Sequence, residues 1–232
     1  MKPILAAIIV AQTVLSECVS NGALINAWIN EFHYDNTGGD TGEFIEVVVP
    51  ASVADLDNVL VTFYNGSDGA VYNPGGGSSQ DLSTFVIGET VNGFAIYSKA
   101  ITGAGIQNGA PDGFALSHGG TLLQFLSYDG AFTGVGGVAG GVPSVDIGLT
   151  ELSSTPVGAS LGLVGTGNQY SDFTWAVLSD DAAGVMNLGQ TIVPVPEPAE
   201  WGLICAVGLL GVCGLHTWRE RRRALRSLPS AS

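Results

Sequence analysis

The sequence predicts an all-β protein whose body is a single antiparallel β-sandwich. Three observations carry that expectation: short runs with strand character recur, turn-forming clusters separate them, and no part of the body shows helical periodicity of useful length. The expected strands are Trp28 to Tyr34, Phe44 to Val49, Val59 to Tyr64, Gly93 to Ser98, Asp112 to Ser117, Leu122 to Tyr128, Ser160 to Val164 and Asp172 to Val177. In the last of these Phe173, Trp175 and Val177 share one face and Thr174 and Ala176 the other, the period-two pattern of a half-buried strand. Asn65-Gly66-Ser67-Asp68-Gly69 supplies residues that accept positive φ, so it should join Val59 to Tyr64 to a short following strand as a hairpin. Gly75-Gly76-Gly77-Ser78-Ser79 and the stretch from Gly134 to Gly141 read as mobile surface loops. Eight short strands in this length fit one sandwich.

Both ends of the chain differ from this body. Lys2 gives a positive start, Ile4 to Leu15 an apolar run and small polar residues follow, the composition of a secretory signal peptide over 1–27. Its cleavage point stays open between Ser20 and Ala27. Leu15-Ser16-Glu17-Cys18 looks like a lipoprotein box, but Glu17 stands where a small residue is required, which argues against lipidation of Cys18. At the other end a proline-rich linker (191–200) leads to an apolar run from Trp201 to Trp218 and a basic tail (219–232) with Arg219, Arg221, Arg222, Arg223 and Arg226. At about 1.5 Å of rise per residue that run reaches roughly 27 Å, enough for a transmembrane helix with little tilt. Arginines after a span favour the cytoplasmic side, so the body should lie across the membrane.

Val195-Pro196-Glu197-Pro198, the apolar run and the arginine cluster occur in an order that closely resembles the PEP-CTERM sorting signal. The resemblance implies export across the inner membrane of a Gram-negative bacterium. It also implies a membrane-anchored precursor, recognition by an exosortase-like membrane processing enzyme, and delivery of the body to the cell surface or the extracellular space. An ordinary single-pass anchor after a proline-rich stalk is the plainer alternative.

Cysteine usage supports export: Cys18 falls in the signal, Cys205 and Cys213 in the apolar run, and the body has none. Thiol chemistry and cysteine-ligated metals are thereby excluded from the body, which is large enough to need no disulfide. The chain carries a net charge of −14, and residues 28–196 hold 17 Asp and Glu against one base, Lys99. Such a body repels phosphate backbones, so no nucleic-acid partner is expected. An acidic surface that keeps a secreted protein soluble accounts for the rest.

A second resemblance covers nearly the whole body. Ile29-Asn30-Glu31-Phe32-His33-Tyr34-Asp35-Asn36, followed by Gly39-Asp40-Thr41-Gly42-Glu43-Phe44-Ile45-Glu46, is similar to the opening of bacterial lamin-tail domains. Phe63-Tyr64-Asn65-Gly66, Asn108-Gly109-Ala110-Pro111-Asp112-Gly113, Gln124-Phe125-Leu126-Ser127-Tyr128-Asp129-Gly130 and Phe173-Thr174-Trp175 continue the likeness. The resemblance implies an immunoglobulin-like sandwich over 28–190 that serves as an accessory or adhesion module. A surface or matrix protein of this kind is expected to contact exopolysaccharide, surface proteins or itself.

Chemistry concentrates in Glu31, His33, Asp35, Asp40, Glu43 and Glu46. Hard oxygen ligands on a glycine-containing loop suit Ca²⁺, so Asp35, Asp40 and Glu43 form a speculative weak calcium site, although the spacing is not that of an EF-hand. Asp and Asn at turns more often bond their own backbone, and no cofactor is otherwise implied. A small metal-assisted hydrolase using the Glu31 to Glu46 cluster is the alternative function. Gly158-Ala159-Ser160-Leu161-Gly162 matches a nucleophile elbow, but the only later histidine is His216 in the apolar run, and an interior strand is the better reading. Gly134-Val135-Gly136-Gly137-Val138-Ala139 lacks the βαβ context of a dinucleotide fingerprint. Trp28, Tyr34, Tyr64, Tyr72, Tyr97 and Trp175 serve either a glycan platform or the core, with the core favoured. No catalytic residue is expected, and the body reads as a non-enzymatic surface or matrix module.

Overall fold

The computed structural model describes residues 24–74, 79–109 and 111–195. The chain divides into two compact units, Met1–Val193 and Pro194–Ser232. The Pro-Glu-Pro motif, the apolar run, the basic tail, residues 1–23 of the expected signal peptide and most of the glycine tract at 75–79 lie outside the described residues. Among the described residues, no helix is long and apolar enough to cross a membrane.

The described part of the first unit is built of strands: β1 (Trp28–His33), β2 (Phe44–Pro50), β3 (Val59–Asn65), β4 (Val71–Tyr72), β5 (Gln80–Asp81), β6 (Val86–Val91), β7 (Phe94–Ala100), β8 (Asp112–His118), β9 (Thr121–Tyr128), β10 (Val145–Asp146), β11 (Ser160–Gly167), β12 (Phe173–Leu178) and β13 (Gln190–Ile192). The only helical pieces described are three single 3-10 turns. One sheet has the order β12-β11-β1-β2-β7-β6 with β13 beside β11, and the other β10-β9-β8-β3-β4 with β5 beside β3. Pairing is antiparallel except for β10 on β9 and β13 on β11. All eight expected strands are present. The sheet also runs past Gln190, the expected end of the body, because Gln190, Thr191 and Ile192 pair with Gly165, Thr166 and Gly167.

The two sheets meet over one apolar core, to which the first contributes Ile29, Phe32, Ile45, Val47, Val49 and Leu161 and the second Val59, Val61, Phe63, Phe114, Leu116, Leu126 and Tyr128. Aromatic edges and faces lock it: Phe32 meets Phe114 at 4.9 Å between centroids, Phe114 meets Phe63 at 5.3 Å, and Tyr34 stacks on Tyr128 at 4.2 Å. Such pairs add about 0.5–1.5 kcal/mol each beyond the area they bury. A bulge in β1 fits its side chains to this core. Ile29 opposes Val47 and Glu31 opposes Glu46, so Asn30 is the extra residue, and Ile29 and Phe32 both reach the core despite being three positions apart.

Turn chemistry sets the register of the hairpins. The expected hairpin forms, with Tyr64 opposite Val71 and Phe63 opposite Tyr72. β6 and β7 are joined by Asn92 and Gly93 at φ of 51° and 86°, the two positive values of a type I′ turn. β6 was not expected as a strand; its residues Val86–Thr90 are exposed at the sheet edge, so no buried face marks them.

Two expectations need correction. The Gly134 to Gly141 tract is not a loose surface loop, because Ala139 is fully buried and its N–H donates to the Tyr64 hydroxyl, which itself donates to the Gly136 carbonyl. Backbone bonds from Gly134 to Val142 and from Gly141 to Gly134 close the tract on itself. The expected face of β12 is also broken: Phe173 is buried and Trp175 half-buried, but Val177 is 60% exposed while Leu178 is buried, since β12 is an edge strand.

Gly66 illustrates a close approach that a side chain would prevent: a Cβ there would lie 2.0 Å from the Pro111 carbonyl oxygen. Gly66→Ala is expected to destabilise the sandwich by about 1–3 kcal/mol. Gly39→Ala, which meets nothing within 4 Å, should change stability by no more than about 0.5 kcal/mol. Thermal and urea denaturation of the two variants checks this.

Candidate functional site

The acids that cluster in the sequence are separated by the pleat of β1 and β2. Phe32 and Ile45 point into the core, so Glu31 and Glu46, one residue earlier on β1 and one later on β2, point to the other face, directly opposite one another. Both are fully buried there. The segment between β12 and β13 covers them: Ala182 N–H donates to Glu31 Oε1 at 2.9 Å and Gly184 N–H to Glu46 Oε2 at 2.6 Å. The Ser160 hydroxyl also donates to Glu31 Oε1, at 2.6 Å, and Asn30 Nδ2 to Glu46 Oε1, at 2.8 Å. Asn30 is held in turn by Trp28 Nε1 and Gln190 Nε2, and Asn187 Nδ2 bonds the carbonyls of Asn30 and Leu163. Among the described residues, Glu31 Oε2 and Asn187 Oδ1 find no hydrogen-bond partner.

Among the described residues, no ion pair balances Glu31 or Glu46. Burial is the main cause that pushes Glu31 up to about 7, against the bonds from Ser160 and Ala182, with Asp181 and Glu151 adding repulsion. Burial likewise pushes Glu46 up to about 8, with the charge of Glu31 contributing. Each carboxyl is therefore stabilised in its protonated form.

His33 belongs to a different assembly. Its Nδ1 lies 2.9 Å from Glu151 Oε1, and its Nε2 accepts from Asn36 Nδ2 at 2.7 Å in the tautomer protonated on Nδ1. Glu151 Oε2 accepts the backbone N–H groups of Tyr34 and Asp35 at 2.7 and 3.0 Å. The Tyr34 hydroxyl accepts from Glu151 N–H at 2.7 Å and reaches Asp129 Oδ2 at 3.0 Å. Burial alone would lower the His33 pKa, but the hydrogen bond and charge of Glu151 outweigh it and raise it. Glu151, more than a hundred residues from His33, escapes a local reading of the sequence. The only hint is an acid flanked by apolar residues in Leu149-Thr150-Glu151-Leu152.

Asp35, Asp40 and Glu43 are not gathered into one ligand set. Asp35 and Asp40 are close enough to raise the Asp35 pKa, after the larger effect of desolvation, but Asp40 Oδ2 accepts from Asn108 Nδ2 at 2.8 Å. Glu43 lies close enough to feel the charge of Asp40, but its Oε2 accepts the Ile106 N–H. Among the described residues, no three His, Cys, Asp or Glu side chains converge so as to hold a metal ion. Ser160, the central residue of the elbow-like motif, is buried in β11 and donates to Glu31, with no histidine among its hydrogen-bond partners. The aromatic residues belong to the packing: Trp28, Tyr34 and Tyr64 are fully buried, and Tyr72, Tyr97 and Trp175 are half-buried against the main core. Val195 is exposed, and the rest of the sorting motif and the arginine cluster lie outside the described residues. The chain matches no family model, no curated protein and no solved structure.

The carboxyl pair predicts how stability depends on pH. Below about 4.5 both carboxyls are protonated, folded or unfolded; as pH rises the unfolded chain ionises first while the fold retains its protons, so stability falls until the folded values of about 7 and 8 are passed. Each retained proton contributes a slope of about 1.4 kcal/mol per pH unit within its window. The melting temperature should therefore drop from pH 5 to pH 8, and Glu46→Gln, which keeps shape without ionising, should flatten that drop in a calorimetric series.

Proposed function

We propose that this protein is an exported, non-enzymatic surface or matrix component. Its β-sandwich is the binding or structural module, immunoglobulin-like in the manner of lamin-tail domains, and its C-terminal PEP-CTERM-like signal directs membrane retention and exosortase-type processing. The single observation that carries the reading is the order Val195-Pro196-Glu197-Pro198, apolar run, arginine cluster, together with a signal-like start and a cysteine-free body. The location that follows is a membrane-anchored precursor and then the cell surface or extracellular space, with exopolysaccharide or other surface proteins as the class of partner.

The burial of the acids supports a non-enzymatic role over the metal-assisted hydrolase. Glu31 and Glu46 are fully buried and His33 is 2% exposed, and each is hydrogen-bonded within the fold. A hydrolytic site needs a base within reach of a substrate or its water, and these groups are spent on holding strands and loops together.

Mass spectrometry of the mature protein from its native host tests the sorting reading. A C-terminus between Pro196 and Ala199 is expected, and recovery of the protein still carrying Arg226 would refute processing.

A further inference from the structure

The segment between β12 and β13, residues 179–189, lies over the outer face of β1 and β2 as a strap held mainly by polar bonds. Ala182 and Gly184 N–H groups donate to the two buried carboxyls. Asp181 N–H donates to the Gly158 carbonyl at 2.6 Å, Glu89 N–H to the Gly184 carbonyl at 2.7 Å and Met186 N–H to Glu89 Oε2 at 3.1 Å. Asn187 ties the far end to the carbonyls of Asn30 and Leu163. No residue of the strap is a buried member of an apolar cluster, and Met186 alone packs, half-buried, against the cluster around Trp28. The sheet beneath keeps its core on the opposite face, through Ile29, Phe32, Ile45 and Val47. A segment with so few apolar contacts can open at a cost well below that of unfolding the sandwich.

The strap closes over two carboxyls in acidic surroundings. Asp180 and Asp181 lie on the strap itself, Glu89 on β6 and Glu151 ahead of β11, whereas the near partners Ser160, Asn30, Asn187 and Gln190 are uncharged. His33 on β1 is engaged by Glu151, and Lys99 on β7 donates to Thr84 Oγ1. A proton costs Glu31 no bond: Ser160 and Ala182 both donate to Oε1, and Oε2, without a partner among the described residues, is the oxygen that can carry it. Lifting the strap returns both carboxyls to water, where their hold on protons relaxes to that of an ordinary carboxyl. Closing and protonation are therefore linked. The folded values of about 7 and 8 exceed the ordinary 4.5, so between them the closing equilibrium weakens with rising pH. Each retained proton contributes up to about tenfold per pH unit.

We propose that the strap at 179–189 is a pH-operated latch, closed over Glu31 and Glu46 while they carry protons and opening locally, with the sandwich intact, when they ionise. Opening uncovers the polar chamber around Asn30 and leaves the opposite, apolar face of the sheet in place. The latch does not depend on how the chain is sorted. It is also distinct from the fall in melting temperature, which reports the whole fold.

Hydrogen exchange of the full-length protein, followed by mass spectrometry from pH 5.5 to pH 8.5 and corrected for the intrinsic exchange rate, tests the latch. Protection of the Ala182 and Gly184 amides should fall about tenfold or more between pH 6 and pH 8. Amides of β3 and β8 should stay better protected than the strap throughout. Glu31→Gln retains the oxygen that accepts from Ser160 and Ala182 but cannot ionise, and it should flatten the fall. If that variant does not fold, the comparison of strap and core in the wild type decides. Strap protection that is flat across the range, strap and core amides that lose protection together to the same level, or a folded Glu31→Gln protein with the wild-type pH dependence would each overturn the proposal.

Discussion

A carboxylate taken out of water must be matched by a cation, by hydrogen-bond donors or by a proton, and this body has a single lysine to supply the first. Lys99 lies over the ring of Phe85 and bonds Thr84, so the buried acids are served by the other two means. Glu31 and Glu46 take backbone N–H groups from the segment after β12 and retain protons, whereas Glu151 takes the N–H groups of Tyr34 and Asp35 together with His33. Each arrangement ties a distant stretch of chain to β1 or its end. The acids thus act as fasteners between strand and loop, and the fold's long-range order around β1 depends on them.

The strands were legible in the sequence as short apolar, β-branched and aromatic runs bounded by turn residues, whether both faces are buried, as in β1, β2 and β8, or only one, and all eight expected segments appear with ends displaced by no more than three residues. β6 escaped because its residues are exposed on both faces, yet Asn92-Gly93 was in view and is a strong short-range hairpin signal. β13 escaped because three residues beside a parallel partner carry no period. The bulge at Asn30 is also invisible in one strand alone, since it exists only in the register with β2.

The candidate site was legible as a concentration of acids and illegible as an arrangement. Glu31, His33, Asp40 and Glu43 are close in sequence, but the pleat and the turn send them to separate partners: Ser160 and Ala182, Glu151, Asn108, and Ile106. Those partners lie tens to more than a hundred residues away and were chosen by topology. The aromatic residues, by contrast, behaved as their chemistry suggests in a two-layer fold, and the large rings fill the interior.

The last strand has a mechanical meaning. Ile192 is clamped by the Asn92 side chain at its carbonyl, Val193 N–H bonds Gly167, and the chain leaves the sheet immediately afterwards. Tension applied along the strand axis beyond Val193 enters the sandwich through β13, where the three residue pairs of the parallel ladder to β11 share the load in shear instead of opening one at a time.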